Sequence, residues 1–79
     1  MGRQTNSLEM EIVQALREEL GRDVAPGDAL DSLGVDSLRM AELATELERR
    51  FGFRVDEEVL DVETVEALAE YVRSRTGKS

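Results

Sequence analysis

The chain has 79 residues and a formal net charge of −8. The length limits the number of domains, and the charge limits the kinds of partner. A chain of this length forms one small domain, and the absence of cysteine and histidine disfavours disulfides, thiolate metal sites and an ordinary hydrolase. The negative charge disfavours nucleic acid and anionic membranes as partners and favours a basic protein surface. No apolar run approaches the roughly 20 residues of a membrane span and no secretory signal is present, so we expect a soluble, cytoplasmic protein. We also expect it to be a monomer.

The first predicted element is an amphipathic helix over residues 7 to 20. Apolar residues recur there every four positions: Leu8, Ile12, Leu16 and Leu20. This spacing places them on one face of a helix. Asn6 is predicted to cap the helix, with Glu9 in the capping-box position, and Gly21 is predicted to end it.

Residues 21 to 35 are predicted to form a long connecting loop. The helical periodicity disappears there, and Pro26 disfavours helix at the residue before it. The loop nevertheless contains several apolar residues: Val24, Leu30 and Leu33. Because a fully solvated loop would carry fewer of them, we expect this segment to lie pinned across the domain.

A second amphipathic helix is predicted to begin after Val35 and to end at Gly52. Its apolar positions are Leu38, Ala41, Leu43, Ala44, Leu47 and Phe51. Asp36 is expected at the N-cap, and Leu38 is expected to point into the core. Ser37 then lies on the first turn, outside the apolar stripe, with its hydroxyl facing solvent.

Two shorter elements complete the predicted fold. Acidic residues at positions 56 to 58 precede two apolar residues, which fits a short third helix whose first turn favours negative charge. Apolar residues with helical spacing then predict a fourth helix: Val65, Leu68, Ala69 and Val72. Thr64 or Glu63 is predicted at its start, and Gly77 just past its end.

These elements define an all-α fold: a small four-helix bundle with three main helices, one short helix, and a long loop between the first two helices. No alternating run long enough for a strand is present. The domain is expected to span residues 7–75, between an N-terminal tail of residues 1–6 and a C-terminal tail of residues 76–79.

The triplet Asp-Ser-Leu occurs twice, at Ser32 and at Ser37, and only the second occurrence opens a helical pattern. A helix N-terminus presents unpaired N–H groups and a partial positive charge, which suit a phosphodiester on an exposed serine. Without histidine the chain lacks the usual base that activates a serine nucleophile, so chemistry at Ser37 would be carried out by another protein. The alternative is that Asp36 and Ser37 only cap the helix.

Residues 33–38, Leu-Gly-Val-Asp-Ser-Leu, resemble the attachment motif of acyl carrier proteins. The resemblance extends over residues 7 to 75 and includes the long loop before the serine and the acidic third helix. It implies that a phosphopantetheinyl transferase attaches 4′-phosphopantetheine from coenzyme A to Ser37, between Asp36 and Leu38. The thiol of this arm would carry acyl groups as thioesters, and the chain itself would be a non-catalytic carrier.

The resemblance also implies where partner enzymes bind: on the second helix, the loop ahead of it and the third helix. By correspondence, the exposed contacts around Ser37 would be Arg39, Met40, Glu42, Thr45, Glu46 and Arg49. Besides the transferase, the expected partners are acyl-loading, condensing and tailoring enzymes with basic docking surfaces.

The charge of the second helix bears on the pathway. Carriers of fatty acid synthesis have a strongly acidic helix here, whereas in this chain Arg39, Arg49 and Arg50 balance the acidic residues. This balance favours polyketide or related specialised biosynthesis, with a discrete peptidyl or aminoacyl carrier and a fatty acid carrier as alternatives. The competing hypothesis from another class is an unmodified acidic helical interaction domain that binds a basic partner through residues 56 to 70.

Overall fold

The computed structural model describes residues 7–76, which form a small helical bundle. The α-helices are α1 (Ser7–Leu20), α2 (Ser37–Phe51) and α3 (Val65–Thr76), and two 3-10 helices span Asp31–Leu33 and Glu57–Asp61. The described residues contain no strand, and the predicted all-α fold is confirmed. Of the helices in residues 7–76, none combines the length and the apolarity needed to cross a bilayer.

The boundaries of the main helices follow the predicted signals. α1 is followed by Gly21 and α2 by Gly52, which has a left-handed φ of 71° that glycine adopts without strain. Thr64, rather than Glu63, caps α3, because its hydroxyl oxygen accepts a hydrogen bond from the N–H of Ala67 at 3.0 Å. Local sequence signals therefore determine where these helices start and stop.

The predicted short third helix is present as a 3-10 helix, Glu57–Asp61. The side chain of Asp56 caps it by accepting a hydrogen bond from the N–H of Glu58 at 3.1 Å. The chain is extended again at Val62, so the helix ends after five residues. The predicted signals Asn6 and Gly77 lie outside the described residues.

One apolar core joins the three α-helices. Its most deeply buried side chains are Ile12, Leu16, Leu43, Leu47, Val65, Leu68 and Val72, each less than 2% exposed. Burying a side chain of this kind contributes about 1.5–3 kcal/mol before the loss of chain entropy is subtracted. The relative positions of the helices are therefore fixed mainly by these side chains.

The apolar face of α2 begins at Met40 and not at Leu38. Met40 is buried, as are the residues three, four and seven positions after it: Leu43, Ala44 and Leu47. Leu38 lies two positions before this stripe and is 70% exposed, so the prediction that it points into the core is wrong. Ala41, also assigned to the inward face, is exposed.

The segment between α1 and α2 lies against the bundle, as predicted. Its buried side chains are Val24, Leu30, Leu33 and Val35. The N–H of Leu30 donates a hydrogen bond to the carbonyl oxygen of Glu63 at 2.8 Å, next to an isolated antiparallel bridge between Ala29 and Thr64. The loop that leads into α2 is thereby fixed to the start of α3.

Candidate functional site

Ser37 is the first residue of α2 and is exposed to solvent. Asp36 caps the helix: its Oδ1 accepts a hydrogen bond from the N–H of Arg39, and its carbonyl oxygen accepts one from the N–H of Met40, both at 2.8 Å. The N–H groups of Ser37 and Leu38 form no hydrogen bond within residues 7–76 and are available to an anion. The predicted position of Ser37 at an open helix start is confirmed.

Ser32 has a different environment. It lies in the 3-10 helix Asp31–Leu33, and its hydroxyl donates a hydrogen bond to the carbonyl oxygen of Ala29 at 2.7 Å. Gly34 ends this turn with a left-handed φ of 85°. The Ser32 hydroxyl is therefore engaged in a local turn, whereas Ser37 begins a long helix.

An open groove of about 600 Å³ lies beside Ser37. Its apolar lining consists of Leu30, Val35, Met40, Leu60 and Val62. Its charged lining is acidic and consists of Asp31, Asp36 and Glu63, which we call the acidic rim. Three parts of the chain meet in the groove: the loop before α2, the first turns of α2, and the residues that precede α3.

The surroundings of Ser37 fit a phosphopantetheine group joined to its hydroxyl. The N–H groups of Ser37 and Leu38 suit a phosphodiester, and the groove offers apolar surface next to it. When bound, this group supplies a thiol that forms thioesters. Within residues 7–76, no cluster of side chains has the composition of a metal site.

Two of the predicted partner contacts have roles inside the fold. Met40 is 5% exposed and lines the floor of the groove, so the prediction that it is an exposed contact is wrong. Its spacing to Leu43 and Leu47 indicates an inward position. Arg39 is half-buried and donates a hydrogen bond to the carbonyl oxygen of Glu19, near the end of α1, at 2.7 Å. Arg39 thus joins α1 to α2.

The other predicted contacts, Glu42, Thr45, Glu46 and Arg49, lie along α2. All of them are exposed except Glu46, which is half-buried. Glu42 accepts a hydrogen bond from Arg39 at 2.9 Å, and Glu46 forms an ion pair with Arg49 at 3.6 Å. Their role as partner contacts stays a prediction.

The structure adds groove residues that the sequence did not single out. Leu60 is 54% exposed and lines the groove, whereas its neighbour Val59 is buried. The sequence shows two adjacent apolar residues there and does not indicate which of them faces outward. Asp31 and Glu63 lie on segments that are distant in sequence and are brought together beside the Ala29–Thr64 bridge. No local pattern in the sequence indicates that meeting.

A cluster of polar side chains holds the second 3-10 helix to α3. The hydroxyl of Tyr71 donates a hydrogen bond to Oδ1 of Asp56 at 2.7 Å, and Arg75 forms ion pairs with Asp56 at 3.1 Å and Glu58 at 2.8 Å. The hydrogen bond from Tyr71, followed by the N–H of Glu58 and the charge of Arg75, lowers the pKa of Asp56. Burial raises the pKa of Tyr71, and the nearby Asp56 carboxylate raises it further. The cluster fixes the segment that carries Leu60.

Comparison with solved structures defines the class of protein. The structure is similar to the crystal structure of an acyl carrier protein from Thermotoga maritima, with a TM-score of 0.74 and 23% sequence identity. The match covers 95% of this chain and 93% of that chain. The chain therefore has the small helical fold of acyl carrier proteins.

Sequence comparison gives the family. Residues 10–72 match the family model described as the phosphopantetheine attachment site. Over 58 residues, 70% of this chain, the sequence is 40% identical to the non-reducing polyketide synthase pigA of Monascus ruber, and the chain spans 2% of the length of that synthase. The chain belongs to the phosphopantetheine attachment site family, and the resemblance based on residues 33–38 is confirmed.

Proposed function

We propose that the chain carries acyl groups as thioesters on a 4′-phosphopantetheine arm attached to Ser37. The main support is the position of Ser37, which is exposed at the start of α2, inside the matched residues 10–72, with unbonded N–H groups beside it. The chain has no histidine to activate the hydroxyl, so a phosphopantetheinyl transferase with coenzyme A is the partner that attaches the arm.

The neighbours of Ser37 have separate roles in this proposal. Asp36 fixes the first turn of α2 through its hydrogen bond to the N–H of Arg39. Leu38 is 70% exposed and offers apolar surface to the transferase. We assign the chemistry to the partner enzyme, and the carrier contributes the position of the Ser37 hydroxyl and access to it.

The pathway we propose is polyketide or related specialised biosynthesis, with acyl-loading, condensing and tailoring enzymes as further partners of a cytoplasmic monomer. The likeness to a segment of a polyketide synthase supports this. The charged side chains of α2 also sum to zero, unlike the acidic helix of fatty acid carriers. Expected contacts on α2 are Glu42, Thr45, Glu46 and Arg49.

Intact-mass measurement after incubation with coenzyme A and a broad-specificity phosphopantetheinyl transferase tests the attachment. We expect the protein to gain the mass of one phosphopantetheine. Ser37→Ala should abolish the gain, and Ser32→Ala, the matched change in the other Asp-Ser-Leu triplet, should preserve it. No gain with several transferases would contradict the proposal and favour an unmodified interaction domain.

A further inference from the structure

One side of the groove beside Ser37 is formed by residues 56–62, which we call the wall segment. It contains the second 3-10 helix and lines the groove through Leu60 and Val62. Val59 is buried, whereas the other residues from 56 to 61 are exposed. Because burial of apolar side chains is the main force that holds an element in place, the core holds this segment less firmly than α2, which buries four residues.

Both flanks of the wall segment are anchored by other bonds. On the side of α3, the N–H of Leu30 donates a hydrogen bond to the carbonyl oxygen of Glu63 at 2.8 Å. On the other side, the carboxylate of Glu48, in α2, accepts a hydrogen bond from the N–H of Val55 at 2.7 Å. These bonds use no atom of residues 56–62, so movement of the segment does not require breaking them.

Between these anchors, side chains of α3 hold the start of the wall segment. The hydroxyl of Tyr71 accepts a hydrogen bond from the N–H of Asp56 at 2.9 Å and donates one to its carboxylate at 2.7 Å. Arg75 pairs with Asp56 at 3.1 Å and with Glu58 at 2.8 Å, and its guanidinium carbon lies 4.7 Å from the centre of the Tyr71 ring. We call Tyr71 and Arg75 the latch. Ion pairs between exposed groups are individually weak, so we expect release of the latch to require less free energy than unfolding of the core.

We propose that residues 56–62 open as a unit, by release of the latch, while the three α-helices stay folded. In the open form Leu60 and Val62 leave the groove and Val59 leaves the core, so the space beside Ser37 has two sizes. For the arm, this consequence rests on the proposed attachment at Ser37: the latch, which does not line the groove, sets how often the arm lies next to the wider space. The opening itself does not depend on the attachment.

Native-state amide hydrogen exchange, followed for each residue by NMR, tests the opening. The N–H groups of Val59 and Val62 donate hydrogen bonds to the carbonyl oxygens of Asp56 and Val59 at 3.1 and 3.2 Å, so they exchange when the wall segment opens. The N–H of Leu47, a buried residue within α2, is the reference for global unfolding. Relative to the rates of an unstructured chain, we expect both valines to exchange at least about tenfold faster than Leu47. Their exchange should also depend less on urea, because a local opening exposes less surface.

Two arginines of α3 provide matched variants. Arg75→Gln removes the ion pairs of the latch, and Arg73→Gln removes an exposed ion pair with Glu70 at 2.9 Å on the same helix. Arg75→Gln should raise the exchange rates of the wall segment about threefold to tenfold, whereas Arg73→Gln should leave them within about twofold. Tyr71→Phe removes the hydroxyl from the latch and should act in the same direction as Arg75→Gln.

Two results would overturn the proposal. Wall-segment N–H groups that exchange as slowly as that of Leu47, with the same dependence on urea, would mean that the segment opens only when the whole fold does. Equal effects of Arg73→Gln and Arg75→Gln would mean that the latch has no special role. Circular dichroism checks that the variants fold. Exchange is measured before phosphopantetheine is attached, so a failure of the mass gain at Ser37 contradicts the proposed function and leaves this result unaffected.

Discussion

At the scale of single residues, Asp36 combines a structural and an electrostatic role. Its carboxylate caps α2 through the N–H of Arg39 at 2.8 Å and also belongs to the acidic rim. Loss of a capping side chain typically costs about 1 kcal/mol, whereas an amide oxygen accepts the same hydrogen bond. We expect Asp36→Ala to lower the free energy of unfolding by about 1 kcal/mol and Asp36→Asn to lower it less, as measured by urea denaturation. Equal losses would mean that the negative charge, and not the hydrogen bond, stabilises the helix start.

The residues around Ser37 also show what sequence patterns determine at this scale. The position of Ser37 and its cap followed from local signals, because a helix start depends on neighbouring residues. The orientation of Leu38 and Met40 was predicted the wrong way round, since an apolar residue at the first turn was counted as part of the stripe. Counting from Met40 to Leu43 and Leu47 gives the inward face that the structure has.

At the scale of elements, the second 3-10 helix depends on the hydrogen bond between Tyr71 and Asp56. Because this bond lowers the pKa of Asp56 below its usual 3.8, it contributes stability that is fully present above pH 3.8 and is lost as the pH falls through the folded-state pKa. Tyr71→Phe keeps the ring but removes this hydrogen bond. We expect the free energy of unfolding of this variant to fall less steeply below about pH 4 than that of the unmodified protein. Urea midpoints measured between about pH 3 and pH 7 check this.

Asp56→Asn provides the matching control for that measurement. It removes the titrating carboxylate itself, so its stability should also change less steeply at acidic pH. If Tyr71→Phe keeps the full acid dependence while Asp56→Asn loses it, the charge of Arg75 and the N–H of Glu58, and not the phenol, control the carboxylate.

The same element marks a limit of sequence-based prediction. The acidic residues before Val59 indicated a helical turn, but not that it would be a 3-10 helix ended by an extended Val62. The groove was not predictable either, because its walls come from segments that meet through a backbone hydrogen bond, from the N–H of Leu30 to the carbonyl oxygen of Glu63. Such pairings have no residue-specific pattern in the sequence.

At the scale of the whole molecule, the net charge of −8 predicts a response to salt. Acidic side chains crowd one segment: Asp56, Glu57, Glu58, Asp61, Glu63, Glu66 and Glu70. Screening weakens exposed ion pairs such as Arg75–Glu58, but each such pair contributes only about 0–1 kcal/mol. Repulsion acts among all the acidic groups, so we expect the melting temperature to rise between about 0.05 and 0.5 M NaCl and with millimolar magnesium. A calorimetric melting temperature that falls or does not change would contradict this.

The fold and the family are the properties that the whole sequence predicted best. Helical periodicity defined the three main helices, because their core faces repeat at a spacing that any amphipathic helix requires. Residues 33–38 indicated the family that the match over residues 10–72 then gave. The distribution of charge over the surface needed coordinates, since the balance of α2 depends on partners such as Glu18 in another helix.

The bridge between Ala29 and Thr64 links the groove to the order in which the chain folds. The helix that begins at Ser37 forms from local interactions, but the edge carrying Asp31 and Glu63 requires a long stretch of chain to be closed first, and such contacts form slowly. The groove beside Ser37 therefore exists only where the distant segments that carry Leu30 and Glu63 have paired, whereas the helix that begins at Ser37 is set by its neighbours in the sequence.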